Sequence, residues 1–246
     1  MIDDDEIQKR ITGFWSSIAT GYEAHPGNVP ALDSAEYVEW VKAIAELLPV
    51  TPSSVLDVAT GTGFVAMIAA QLGHRVTAID LSEPMLEVAR TEANRRGLSV
   101  TFLKDDAVAP NFPERSFEAV ISRHLIWTLR NPVRALRNWR MLVRPGGRLV
   151  AIDGFWFKPE SDANGASERS GLFEEFYSKE IRAALPGWHY FSVGPLAAVV
   201  ENAGFAGVRV KALEAIQRVA LHAPSEEPAY ALVGFAPENV DLVLKK

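Results

Sequence analysis

The chain has 246 residues with a formal net charge of −6, 48% apolar and 9% aromatic residues, and no cysteine. That is enough apolar matter for one large domain or a domain plus a cap. The acidic balance argues against a binder of nucleic-acid phosphates. The missing thiols exclude disulfides, thiolate metal sites and cysteine nucleophiles.

The opening MIDDDEIQKR is acidic, lacks a long apolar run and does not read as a secretory signal. No stretch approaches membrane-spanning length, so a soluble, cytoplasmic protein without a membrane partner is expected. Residues 4–20 and 33–48 carry apolar positions at helical spacing and are joined by the turn-rich GYEAHPGNVP. A strand–helix rhythm starts at residue 55. VLDVA, RVTAIDL, SVTFLKD, FEAVISR and RLVAID read as strands. Helices at 64–73, 82–97 and 131–143 alternate with them, and RPGG is expected to be a turn. Ser82 is the expected N-cap of the second of these helices and Pro132 lies in the first turn of the third. This alternation predicts a parallel sheet covered on both faces, a doubly wound α/β fold.

After Gly154 the rhythm breaks. Residues 155–194 form an insertion carrying Phe155, Trp156, Phe157, Phe173, Phe176, Tyr177, Trp188, Tyr190 and Phe191 around a polar loop, SDANGASERSG. Ligands of parallel sheets bind at the carboxyl ends of strands, so this segment is read as a substrate cap, a satellite core, or both at once. A helix at 195–203, the strand GVRVKAL, a loop around Pro224 and Pro228, and the strand AYALVGF follow. The chain thus divides into an N-terminal helical segment (1–50), a nucleotide-binding core (53–154), the cap (155–194) and the rest of the sheet (195–246), within one domain (1–246).

The stretch VLDVATGTGFVA (55–66) carries chemistry. Gly61 and Gly63, with Ala66 beyond, fit the glycine turn of an NAD site and equally that of S-adenosylmethionine (SAM). Asp57 separates the two. A carboxylate beside this turn would face the pyrophosphate of NAD, and each unit-charge pair at 4 Å costs roughly 4 kcal/mol at an effective dielectric of 20. SAM instead presents a zwitterionic methionine end, whose ammonium suits a carboxylate. Asp80 ends the second strand, where an acid accepts the ribose hydroxyls of either nucleotide.

These residues resemble class I SAM-dependent methyltransferases, in the small-molecule branch that includes the ubiquinone and menaquinone C-methyltransferases. VLDVATGTG is similar to their first motif, although Ala59 stands where the common pattern has its first glycine. AIDLSEPML is similar to the second, which implies Asp80 at the ribose and Leu81 and Met85 flanking the adenine. KDDAVAPNFPERSFEAVIS is similar to the third and fourth, with Asp106 at the adenine amino group, Ala107 making a backbone contact, and Glu118 where aspartate is usual. LRNWRMLVRPGGRLVAID is similar to the helix and strand that follow. The resemblance implies a Rossmann-like seven-stranded sheet with the last strand antiparallel. It also implies that Tyr22, in FWSSIATGY, approaches the cofactor.

In-line methyl transfer rests on positioning, and needs a base only when the acceptor loses a proton. His124, in ISRHLIWTLRNP, is the candidate base, or else a structural histidine. Ser122 and Arg123 at the end of the fourth strand are candidate cofactor contacts, and Arg123 alternatively holds an acidic acceptor or bonds to a carbonyl at the strand end. Tyr22 offers a cation its ring face or is a buried anchor. His25 shares its connector, and His189 could reach the pocket from the cap. No metal is expected, since Asp153 alone ends strand five in a carboxylate. The expected activity is methyl transfer from SAM to a small apolar or aromatic acceptor, through carbon, nitrogen or oxygen, with specialised metabolism a fitting setting. An NAD-dependent oxidoreductase, a SAM-binding regulatory module without catalysis and an RNA methyltransferase are the competing readings. Monomer and homo-oligomer are both open.

Overall fold

The computed structural model describes residues 3–24, 28–154, 168–189, 192–220 and 229–238. Phe155, Trp156, Phe157, Tyr190, Phe191, His25, Pro224, Pro228 and most of the SDANGASERSG loop lie outside them. Two helices lead. In α1 (Asp4–Ile18) the Asp3 side chain caps the first turn by accepting from the Glu6 N–H at 2.7 Å. In α2 (Ala35–Leu47) Ser34 does the same for the Tyr37 N–H. The alternating part follows as β1 (Ser54–Val58), α3 (Phe64–Gln71), β2 (Arg75–Asp80), α4 (Glu83–Arg95), β3 (Val100–Lys104), β4 (Phe117–Arg123), α5 (Pro132–Leu142) and β5 (Val143–Asp153). Ser82 caps α4, and Pro132 opens α5 as expected. The cap contributes α6 (Glu168–Phe176) and α7 (Lys179–Ala184). The chain then runs through α8 (Val193–Asn202), β6 (Ala206–Ala212), α9 (Glu214–Val219) and β7 (Tyr230–Phe235).

The seven strands form one sheet in the order β3-β2-β1-β4-β5-β7-β6. The first five pair in parallel, and β7 runs antiparallel between β5 and β6. The strand order reverses between β1 and β4, which places the ligand crevice at the carboxyl ends of those two strands. One face of the sheet packs on α5 and α8 through Leu136, Trp139, Leu196 and Val200. The other packs on α2 and α3 through Tyr37, Trp40, Ile44, Phe64 and Ile68. No helix among the described residues is long and apolar enough to cross a membrane.

One local expectation is corrected. RPGG is not a free turn but a bulge inside β5, where the register against β4 shifts between Phe117 and Ala119. Its backbone is engaged by residue 236, just past β7: the Gly146 N–H donates to the Ala236 carbonyl and the Ala236 N–H to the Gly147 carbonyl. Residues 214–219 form a short helix, α9, because Leu213 and Ile216 are buried in the cluster built on α2 and α3.

The described part of the cap settles on α1. Ile7, Ile11 and Phe14 join Tyr177, Ile181 and Leu185 in a third apolar cluster, with Trp15, Trp127, Phe173 and Trp188 around it. The Phe173 and Tyr177 rings stack at 4.7 Å. This is the satellite-core arrangement.

Candidate functional site

A cleft holding about 990 Å³ of space opens at the carboxyl ends of β1, β2 and β4. The turn between β1 and α3 forms its floor. Ala59 and Gly61 both take positive φ, near 57°, and the Thr60 N–H donates to the Ile79 carbonyl, stitching the turn to β2. A Cβ built on Gly61 would meet nothing within 4 Å, so this glycine leaves the backbone bare towards the cleft. Gly63 does different work. At φ 86° it opens α3, and a Cβ there would lie 3.1 Å from that of Ala89 and 3.3 Å from the Phe102 ring. It packs the helix start against α4 and β3, and does not line the cleft.

Two carboxylates flank the floor. Asp57 is buried, with Oδ2 accepting from the Thr60 hydroxyl at 2.6 Å. Burial pushes its pKa up to about 7, against the pull of that hydroxyl and of Arg123. Asp80 accepts the Gly61 N–H on Oδ2 at 2.9 Å and the Ser82 N–H on Oδ1 at 2.8 Å. These amides fix the plane of its carboxylate and leave lone pairs for a ligand. Burial raises its pKa also, and the amides oppose the rise. Leu81 and Met85 continue this wall.

The loop after β3 supplies Asp105, Asp106 and Ala107. Trp139 Nε1 donates to the Ala107 carbonyl at 2.7 Å and anchors the loop to α5. Asp106 accepts the Val108 N–H at 2.8 Å and forms an ion pair with Arg130, which also donates to Gln8 of α1. Spacing gave no sign of this pairing, which joins three separate segments.

At the end of β4 the cleft meets Arg123 and His124. Ser122, by contrast, is buried within the sheet opposite Ala151 and does not line it. His124 has φ 57°, a left-handed backbone that re-aims its side chain after the strand, and its N–H donates to the Ile152 carbonyl. Burial and then the Arg123 charge hold the imidazole well below its ordinary pKa, so it is neutral at physiological pH.

The remaining wall is α1 with the start of the connector. Gln8, Ile11, Thr12, Trp15 and Tyr22 face the cleft, as do Leu125, Thr128 and Leu129 after β4. Of these, the sequence pattern singled out Tyr22 alone. Ser16 and Ser82 share a hydrogen bond at 2.9 Å that fastens α1 to the N-cap of α4. Phe173, Phe176, Tyr177 and His189 are absent from the walls. The cap acts on the cleft through α1 and Thr128: the buried Tyr177 hydroxyl accepts from Trp15 Nε1 at 3.1 Å and lies 2.6 Å from the Thr128 hydroxyl. Among the described residues no three His, Asp or Glu side chains gather as a metal site.

Residues 56–151 match the family model described as a methyltransferase domain. A demethylmenaquinone methyltransferase of Thermus thermophilus is 36% identical over 119 residues, covering 47% of this chain and 54% of that protein. The aklanonic acid methyltransferase DauC of a Streptomyces species is 37% identical over 106 residues, covering 42% and 48%. The chain therefore spans about half the length of the curated relatives it matches. In overall fold it is similar to a phosphoethanolamine N-methyltransferase of Haemonchus contortus, solved with phosphomonomethylethanolamine and S-adenosylhomocysteine. That similarity has a TM-score of 0.63 at 17% identity and covers 90% of this chain and 57% of the other.

Proposed function

We propose that the chain is a class I SAM-dependent methyltransferase that moves a methyl group from SAM to a small apolar or aromatic acceptor. The observation that carries this reading is the buried Asp57 carboxylate beside the bare Gly61 backbone. A dinucleotide pyrophosphate at that turn would lie against an acid, whereas the ammonium of a methionine end gains from it. The residues fit SAM in other respects. Asp80 keeps lone pairs free for two ribose hydroxyls, and Leu81 and Met85 offer apolar surface to an adenine. Asp106 and Ala107 stand where its polar edge is expected, with Arg130 holding the Asp106 carboxylate in place.

When bound, SAM supplies an electrophilic methyl group on a sulfonium. The chain's own contribution is placement and exclusion of water. The core 53–154 holds the nucleotide, and α1 closes over it through the Ser16–Ser82 and Arg130–Gln8 contacts. Ile11, Trp15, Leu125 and Leu129 give the acceptor an apolar wall. That wall suits the acceptors that two relatives are named for, demethylmenaquinone and aklanonic acid. Tyr22 presents an aromatic ring and a hydroxyl to a cation in the cleft. His124 stands in the cleft wall as the candidate base for an acceptor that must lose a proton, and burial and the Arg123 charge, which disfavour its protonated form, weaken it in that role.

Calorimetric titration with SAM, S-adenosylhomocysteine and NAD tests the reading. Micromolar binding of SAM or its product, weakened at least tenfold by Asp57→Ala and by Asp80→Ala, is the expected result. Tight NAD binding without a response to SAM would overturn it.

A further inference from the structure

Arg123 is a cation in the cleft wall that uses little of its hydrogen-bonding capacity on the described residues. Its guanidinium carbon lies 4.6 Å from the centroid of the Phe64 ring and 5.3 Å from that of Trp40, so two aromatic rings flank it. Of its five N–H donors, one, on Nη2, has a protein acceptor among the described residues: the Asn28 carbonyl at 2.9 Å. Asp57, Tyr22 and Glu36 act on it through space. The guanidinium is partly exposed to the cleft, so its remaining donors are available to an anion that enters there. Its planar fork matches a carboxylate.

We infer that Arg123 binds the α-carboxylate of the cofactor while Asp57 takes the ammonium on the same carbon. This rests on the methyltransferase reading. An α-amino acid end carries both charges on one carbon, so a site that reads it needs an acid and a base as neighbours. Asp57 and Arg123 stand near the carboxyl ends of the paired strands β1 and β4. An acidic acceptor could supply the same chemistry. Placement favours the cofactor, because Arg123 leans on Phe64, the residue that directly follows Gly63 of the glycine turn. The same guanidinium holds the connector before α2, since Asn28 Nδ2 donates to the Tyr22 carbonyl at 2.7 Å. Carboxylate binding and connector anchoring must therefore be told apart by experiment.

The test compares SAM with decarboxylated SAM, which lacks that carboxylate alone, by calorimetric binding to wild type, Arg123→Met and Arg123→Lys. Wild type is expected to prefer SAM by roughly tenfold or more. Arg123→Met is expected to bind both ligands alike, its affinity for the analogue within about threefold of wild type. Arg123→Lys, which keeps the charge and loses the fork, is expected to retain part of the preference. It carries the comparison should thermal unfolding show Arg123→Met to be misfolded. Three results would overturn the inference. Wild type could show no preference. Arg123→Met could weaken both ligands equally, which marks a connector anchor only. Or Arg123→Met could leave SAM affinity unchanged while abolishing binding of 2-naphthoate, a probe acid, which assigns the site to the acceptor. Wild type that binds neither nucleotide would refute the methyltransferase reading itself.

Discussion

Asp57 is the residue on which most of the functional reading turns, and its protonation gives that reading a pH signature. Burial raises its carboxyl to about 7, with the Thr60 hydroxyl and Arg123 pulling the other way. Its folded pKa lies above its unfolded one, so the folded chain binds more protons between the ordinary carboxylate range and pH 7. At this site stability therefore falls as pH rises through that window. A bound ammonium drives the proton off. SAM affinity is accordingly expected to climb from pH 6 to about 8 and then level, being about tenfold weaker at pH 6 than on the plateau. Titrations of wild type and Asp57→Asn across this range check it, and the variant is expected to show a flat profile. Asp57, Gly61 and Asp80 were legible in the sequence because each chemical role depends on neighbours within one strand and its turn. The pairing of Asp106 with Arg130 was not, because Arg130 comes from the loop before α5 and its other partner, Gln8, from α1. Ser122 was misread for a similar reason. Strand alternation turns its side chain into the sheet's packing, while the following residue reaches the cleft.

At the scale of elements, α1 is the part whose role the sequence concealed. Apolar spacing announced a helix but not what each face would meet. One face, with Ile7 and Phe14, packs into the cap, and another, with Gln8 and Trp15, walls the cleft. Contact with the cap is close: a Cβ on Gly13 would sit 2.7 Å from the Phe176 ring. The Tyr177 hydroxyl joins the two elements to the loop after β4. Tyr177→Phe keeps the ring and strands Trp15 Nε1 and the Thr128 hydroxyl, so it is expected to cost about 1–3 kcal/mol. Urea unfolding reads that loss. Because Trp15 and Thr128 both line the cleft, SAM binding is expected to weaken in the same variant, with cap aromatics acting on the site at one remove. The RPGG bulge was hidden for a different reason. Its hydrogen-bond partner, Ala236, lies far along the chain, and local turn chemistry carries no record of it.

For the whole molecule, strand and helix periods sufficed to give a doubly wound sheet, since a strand buried on both faces reads as a short apolar run between helical stretches. The antiparallel place of β7 came from resemblance rather than from period, and the structure bears it out. A ligand that binds the folded chain alone stabilises all of it. SAM at a hundred times its dissociation constant is expected to add about 2.7 kcal/mol, and hence to raise the melting temperature by roughly 5–10 °C. Differential scanning fluorimetry reads this shift, with NAD at the same concentration giving none. The threading of β7 between β5 and β6 also orders events during synthesis. On a growing chain β6 emerges before β7, yet β7 is its sole strand partner among the described residues. Until residue 235 has left the ribosome, β5 keeps one unpaired edge and β6 is an orphan strand, two sticky surfaces of the kind that holdase chaperones shield.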